Sequence, residues 1–361
     1  MRELLRDLDR WSRQGLRAVV ARVVDIEGSG PRDPGAAMAV SETGEVIGSV
    51  SGGCVEGAVV TEALEVLASG ERRVVTFGYS DDDAFAVGLT CGGTVHLFIE
   101  PWDGLDALAA AVRAHQPAVL ATVIGGPGVG DKLLLVDGQP LSGLLGDPDL
   151  HRVVTRDADA ALAAGATSVR RYGAQGEANQ DAVTVFFESY APPPRLLIFG
   201  AVDFTAALVR VAKVLGYHVT VCDAREVFAT KARFPLADEV VVDWPHRHLA
   251  SVGTSLGPRD AVCVLTHDAK FDVPAIVAAL ATKVGYLGAM GSRRTTEQRA
   301  ERLREEGIDA VGLARVMAPI GLDLGARTPE ETAVAICAEM IAHRTGRDAP
   351  RLSQGAGPIH R

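Results

Sequence analysis

Apolar positions recur at helical spacing over Leu4–Gln14, and the β-branched run Leu16–Ile26 behind them reads as the strand that opens the first globular unit. A polar turn, Glu27–Gly35, ends that strand. Further strands are expected at Ala36–Val40 and Val46–Val50, joined by Glu42-Thr43-Gly44, whose glycine suits a hairpin turn. Ser51-Gly52-Gly53 then leads into a helix predicted over Cys54–Ser69 and capped by Gly70. Beyond it come a strand at Arg73–Phe77, a loop holding Asp81-Asp82-Asp83 and Leu89-Thr90-Cys91-Gly92-Gly93, and a strand at Thr94–Glu100.

The pattern then starts again. Ala18-Val19-Val20-Ala21 matches Ala118-Val119-Leu120-Ala121 at an offset of 100, Arg73-Val74-Val75 matches Ser168-Val169-Arg170 loosely near 95, and His96–Glu100 matches Thr184–Glu188 at 88. A falling offset means that the second copy has lost residues, and it has no counterpart of Ser51–Cys54 or of Thr90–Gly93. The expectation is an internally duplicated α/β domain whose copies form one pseudo-symmetric sheet, with a site kept only in the first. Two α/β segments alike in composition are the plain alternative.

Ala191-Pro192-Pro193-Pro194 is a stiff linker and divides the chain into a domain over residues 1–190 and a second over 195–345, followed by a flexible tail, 346–361. In the second domain Arg195–Phe199 reads as a buried strand, Phe204–Leu215 as a helix ended by Gly216, and His218–Cys222 as a second strand reaching Asp223. Strands at Glu239–Val242, Ala261–Leu265 and Gly285–Leu287 alternate with helical stretches, which predicts a Rossmann-like, doubly wound parallel sheet. The last helix is announced by Thr328-Pro329-Glu330-Glu331, which combines an N-cap, a proline in the first turn and a capping box, and it runs to about Arg344.

Composition narrows the function. At about 150 residues per domain, 361 residues allow two or three domains, and the linker selects two. Aromatic residues are 5% and the net charge is −10, so neither base-stacking platforms nor a basic field supports nucleic-acid binding, and anionic lipid has little to attract it. The N-terminal stretch is charged and no apolar run reaches about 18 residues, so the expected location is the cytoplasm. Five cysteines at wide spacings, with no CxxC, fit neither a disulfide framework nor a structural zinc site. Glycine, at 39 residues, exceeds its usual share of about 7%, and the excess includes a cluster at Gly28, Gly30, Gly35, Gly52, Gly53, Gly92 and Gly93.

That cluster surrounds the candidate chemistry. Cys54 follows Ser51-Gly52-Gly53 at a helix start, where unpaired N–H groups would favour a thiolate or hold a phosphate; such a thiolate could ligate a soft metal or carry sulfur. The alternative is a small packing residue. Cys91, beside Gly92 and Gly93, sits in a similar setting, whereas Cys222, Cys263 and Cys337 read as core. Gly28, Gly30 and Arg32 form a permissive loop with one cation, and Ser292 and Arg293 open a helix after a strand, so both could receive an anionic group. A dinucleotide loop would want G-x-G-x-x-G, but Gly200-Ala201-Val202-Asp203 keeps only the first glycine and adds a carboxylate at the helix start. Asp223 stands where a ribose hydroxyl would be bound. An NAD(P)-linked oxidoreductase is therefore the disfavoured alternative.

Taken together, GSGPRDPGAAM, GSVSGGCVEGAV, GLTCGGT, VTVCDAR, YLGAMGSRRT and PIGLDLGARTPEETAVAI resemble the XdhC/CoxI family, accessory proteins of xanthine dehydrogenase and related molybdenum hydroxylases, over about residues 16–345. The resemblance implies a protein that binds the molybdenum cofactor, supports its sulfuration and delivers it to an apo molybdenum hydroxylase. On that reading Cys54, and with it Cys91, would face the cofactor, Cys54 as its metal contact. A cysteine desulfurase and further copies of the chain are the other expected partners. The family usually has GAGH where this chain has Gly200-Ala201-Val202-Asp203, which puts a nucleotide or redox role of the second domain in doubt.

Overall fold

The computed structural model describes residues 1–28, 30, 32–78, 93–143, 145–178 and 180–354. Cys91, Gly92, the Asp81–Asp83 run and residues 355–361 lie outside the described residues. The chain divides into two compact units, Met1–Pro192 and Pro193–Ser353.

The first unit repeats one plan. Helix α1 (Leu5–Arg13) precedes β1 (Ala18–Glu27), β2 (Ala37–Ser41), β3 (Val46–Gly48), α2 (Glu56–Ser69), β4 (Arg73–Phe77) and β5 (Thr94–Pro101), and the strands form an antiparallel sheet of order β3-β2-β1-β5-β4. Helix α3 (Asp106–Arg113) precedes β6 (Ala118–Gly125), β7 (Lys132–Val136), β8 (Gln139–Gly143), α4 (Pro148–Ala164), β9 (Ser168–Tyr172) and β10 (Val183–Tyr190), in a sheet of order β8-β7-β6-β10-β9. There are thus two five-stranded sheets where one pseudo-symmetric sheet was expected. The reason lies in the pairing: β1 and β6 each have strands of their own copy on both sides, so no central edge is left to join the copies.

The copies meet through faces. Val24 is bulged out of the β1–β5 ladder and Ile124 out of the β6–β10 ladder, and these two equivalents form a buried cluster with Phe98 and Phe186, also equivalents. Beside the cluster Arg22, 1% exposed, reaches Glu100 of its own sheet and Glu188 of the other, the latter at 2.5 Å. Glu100 and Glu188 occupy the same register position, opposite Val20 and Leu120. Burial opposes the Arg22 charge, but the two carboxylates overcome it and hold the guanidinium in its charged form. Where β1 has Arg22, β6 has Thr122, whose buried hydroxyl has no hydrogen-bond partner among the described residues.

The second unit comprises β11 (Arg195–Phe199), α5 (Asp203–Val214), β12 (His218–Cys222), β13 (Glu239–Val241), α6 (Pro245–Val252), β14 (Ala261–Val264), α7 (Ala269–Leu280), β15 (Tyr286–Ala289), α8 (Arg293–Glu305), α9 (Ala310–Ala314), β16 (Val316–Met317) and α10 (Pro329–Thr345). Its sheet, β13-β12-β11-β14-β15-β16, is parallel throughout and has Rossmann order. Leu196 and Ile198 of β11 face the core with α5 and α10, and Leu197 and Phe199 face the core with α7, which is why these strands read as continuous apolar runs. The capping box of Thr328 and Glu331 forms as its sequence requires.

Candidate functional site

In the first sheet β1, β3 and β4 run the same way, each antiparallel to its neighbours β2 or β5. The segments that leave their C-terminal ends, after Glu27, Gly48 and Phe77, therefore start at one end of the sheet. Ile26, Ala36, Cys54 and Phe77, one from each chain segment at this end, pack against the same core beneath α2. Topology alone thus gathers Gly28, Gly30, Arg32, Ser51, Gly52, Gly53, Cys54 and Gly93. Gly28 and Arg32 are exposed, and Gly30 and Cys54 are half-buried.

The loop before α2 is organised around a residue that the sequence did not single out. The Glu56 carboxylate accepts from the Ser49 hydroxyl (2.7 Å) and from the backbone N–H groups of Val50, Ser51, Gly52 and Gly53 at 2.8–3.2 Å. It also accepts from the Ser51 hydroxyl at 2.5 Å. The Ser51 Oγ accepts in turn from the N–H groups of Cys54 and Val55. Burial works against the charged form of Glu56, but these bonds, led by those from the Ser51 and Ser49 hydroxyls, bring its pKa down to about 2.

Two expectations change with this geometry. Helix α2 starts at Glu56 and not at Cys54, because residues 50–53 turn around the carboxylate. The donors read as free for a thiolate or phosphate are occupied by the protein's own anion. Gly52 (φ +80°) and Gly53 (φ +125°) hold conformations that side chains disfavour, yet a Cβ on either would meet nothing within 4 Å. Their need is conformational, and the backbone beside Cys54 is left open. A serine followed five residues later by a glutamate, across two glycines, was the available signal.

In the second unit Gly200 has φ +114°, and a Cβ there would lie 3.0 Å from the Thr266 N–H nitrogen, so this glycine permits close packing of the turn on the neighbouring strand end. Asp223, 3% exposed, is already engaged: it accepts from the N–H of Ala201 at 2.7 Å, from that of Arg225 at 2.9 Å, and from the Arg225 guanidinium with both oxygens. Burial raises its pKa and these contacts more than reverse that, so the carboxyl is held below its ordinary value. The anion at the loop is thus Asp223, while Asp203 is 89% exposed and lies 3.6 Å from Arg233. Ser292 caps α8 through the N–H of Thr295, and Arg293 beside it is exposed. Cys222, Cys263 and Cys337 are core residues, with burial pushing the Cys337 thiol up to about 11 and that of Cys222 to about 12.

Among the described residues no cluster of three or more histidine, cysteine or acidic side chains could hold a metal ion. No helix among them is long and apolar enough to cross a membrane.

Two family models match the chain: that of the XdhC and CoxI family over residues 11–78, which includes the loops around Arg32 and Cys54, and that of the XdhC Rossmann domain over residues 196–340. A Bacillus subtilis (strain 168) protein named as a probable xanthine dehydrogenase subunit is 27% identical over 342 residues, covering 91% of this chain and 93% of that protein. The molybdenum cofactor insertion chaperone PaoD of Escherichia coli (strain K12) is 29% identical over 331 residues, covering 91% and 84%. Among solved structures, a xanthine dehydrogenase from Bacillus halodurans superposes with a TM-score of 0.69 at 26% identity, over 96% of each chain.

Proposed function

Because the chain belongs to the XdhC and CoxI family, we propose that it is an accessory protein that takes up the molybdenum cofactor as cargo, supports its sulfuration and passes it to an apo molybdenum hydroxylase in the cytoplasm. The observation that supports this reading most is the gathering of Cys54 and the glycine-rich loops at one end of the first sheet, in the segment that the family model matches. Relatives named for cofactor insertion and for xanthine dehydrogenase support the class of cargo and client.

The residues fit such a cargo in part, and the fit is specific. Cys54 offers a soft sulfur donor beside open glycine backbone, suited to a cofactor whose metal is held by sulfur. Glu56 fills the N–H cradle, so a phosphate of the cargo is excluded there and would be met by exposed Arg32, which has no ion pair among the described residues. A cysteine desulfurase would supply the sulfur. Cys91 is proposed as a second thiol for the cargo, and assembly of several copies of the chain as its working form. An NAD(P)-linked reaction in the second unit is the weaker reading, since Asp223 and Arg225 occupy each other and the Ala201 N–H.

Cofactor retention tests the proposal. Purified chain mixed with molybdenum cofactor and passed through gel filtration should carry molybdenum and pterin with the protein, and Cys54→Ala should lower the retained molybdenum about tenfold, the loss of one metal–thiolate contact. Equal retention by the variant would remove Cys54 from the role, and no retention by the parent chain would remove the cargo.

A further inference from the structure

We propose that the cleft between the two sheets of the first unit receives the pterin ring of the cargo; the assignment rests on the cofactor reading above and adds a second contact region to it. The cleft, of about 250 Å³, has Val24, Asp25, His96, Ile124, Arg171 and Thr184 among its lining residues, beside Glu27, Val74, Gly125 and Val169. Small-molecule sites commonly span roughly 300–1,000 Å³, so this one takes a single ring system and no dinucleotide.

Its two walls are the same register row of the two copies. On the first sheet Thr76, His96 and Asp25 stand directly across from one another on β4, β5 and β1. On the second, Arg171, Thr184 and Gly125 stand in the matching places on β9, β10 and β6. The repeated plan has been made chemically unequal: an acidic and imidazole wall faces a cationic and hydroxyl wall, with β1, which carries Asp25, packed against β9, which carries Arg171. The paired bulges at Val24 and Ile124 bring apolar side chains to the floor, a common device where a sheet is adapted to a site.

The polar groups are held ready. His96 is oriented by the Thr76 hydroxyl at its Nδ1 (2.9 Å), with Glu27 3.4 Å from its Nε2. The Asp25 Oδ1 accepts from the Ile26 N–H, which leaves Oδ2 for a ligand. Val74 is 45% exposed, an apolar surface that a ring face would cover. A carboxylate on one wall and a guanidinium on the other, over an apolar floor, suit a flat heterocycle with adjacent N–H donors beside a carbonyl acceptor. The amino-oxo-pyrimidine edge of a pterin has that pattern, the N–H groups toward Asp25 and Glu27 and the carbonyl toward Arg171. Guanine shares the edge and is the competitor that the test must separate.

The test is isothermal titration of the full chain with 6-hydroxymethylpterin and, in parallel, guanosine. The pterin should bind and guanosine more weakly. Asp25→Asn should weaken pterin binding about tenfold or more, as expected for loss of a charge-assisted bond, and Arg171→Gln about threefold. Both cleft substitutions are on exposed side chains, and thermal melts of each variant serve as the check on folding. Full pterin affinity in Asp25→Asn, or guanosine bound as tightly as pterin, overturns the assignment. If the chain retains intact cofactor yet ignores the free pterin, the cleft assignment falls and the cargo reading stands; if it binds neither, both fall.

Discussion

The two sheets of the first unit share strand order, the bulge in the central ladder, the buried glutamate that holds Arg22, and a left-handed glycine at the end of the third strand, Gly48 in one and Gly143 in the other. They differ at one end. By register the offset between them is 100 at β1 and β6, 95 at β3 and β8 and again at the helix caps Gly70 and Gly165, and 88 at β5 and β10. The second copy is therefore five residues shorter after its first strand and seven shorter between its last two, both at the end where the first copy carries its candidate site. At the middle loop nothing is lost, but the chain is rewound: α4 starts at Pro148, behind an Asp147 cap, where the first copy still turns around Glu56. The frame occurs twice and the candidate-site loops once, which is why function is sought at Cys54 and not at its counterpart, Asp149.

The largest expected effect comes from the place where the copies are joined. Arg22→Ala leaves Glu100 and Glu188 buried without their shared cation, and should cost about 3–5 kcal/mol. Thr122→Val, at the equivalent position, removes only a buried hydroxyl that has no partner among the described residues and should change stability by less than about 1 kcal/mol, in either direction. Urea unfolding of both variants checks the pair. Similar costs would mean that Arg22 is one contact among many and does not tie the sheets together.

How much of this was legible in the sequence differs between the units. The second unit could be read because strands buried on both faces show as apolar runs between helices; β16, two residues long, carries no such pattern. In the first unit the offset of 100 exposed the repetition, but strand alternation looks the same whether two copies share one sheet or build two, so the architecture needed the pairing itself. The glycine excess led to Ser51–Cys54. Glu56 stayed hidden because a glutamate in a first helical turn is ordinary helix chemistry, and its second role depends on a loop folding back over it. Arg22 and Glu188 are 166 positions apart, beyond any local pattern.

Glu56 gives the next comparison, through pH. Its carboxyl titrates near 2 in the folded chain against an ordinary value of 4.5, so the charged form is favoured by folding. A depressed folded pKa contributes stability that is present above about 4.5 and is lost as the pH falls towards 2. Allowing for solvent screening, about 1–2 kcal/mol is expected. The parent chain should exceed Glu56→Gln by that amount at pH 7, and the gap should close below about pH 3 in urea midpoints taken across the range. The second copy caps α4 with Asp147 in its place, whose carboxylate accepts only from the N–H groups of Asp149 and Leu150. A gap for Glu56 that does not depend on pH would mean that the loop is held by its shape and not by its anion.

The smallest effects concern single glycines and should differ in sign. Gly52, in the first copy's loop, has φ +80°, and a Cβ would meet nothing within 4 Å, so the only cost of Gly52→Ala is the left-handed backbone, about 1 kcal/mol. Gly146 occupies the matching turn of the second copy without a positive φ and likewise has open space, so Gly146→Ala should stabilise by about 0.4–1 kcal/mol through the unfolded chain. Differential scanning calorimetry resolves melting shifts of this size. If Gly146→Ala also destabilises, the second copy still holds a strained loop there, and the contrast between a site-bearing loop and one rewound into a helix start would have to be drawn at a different residue.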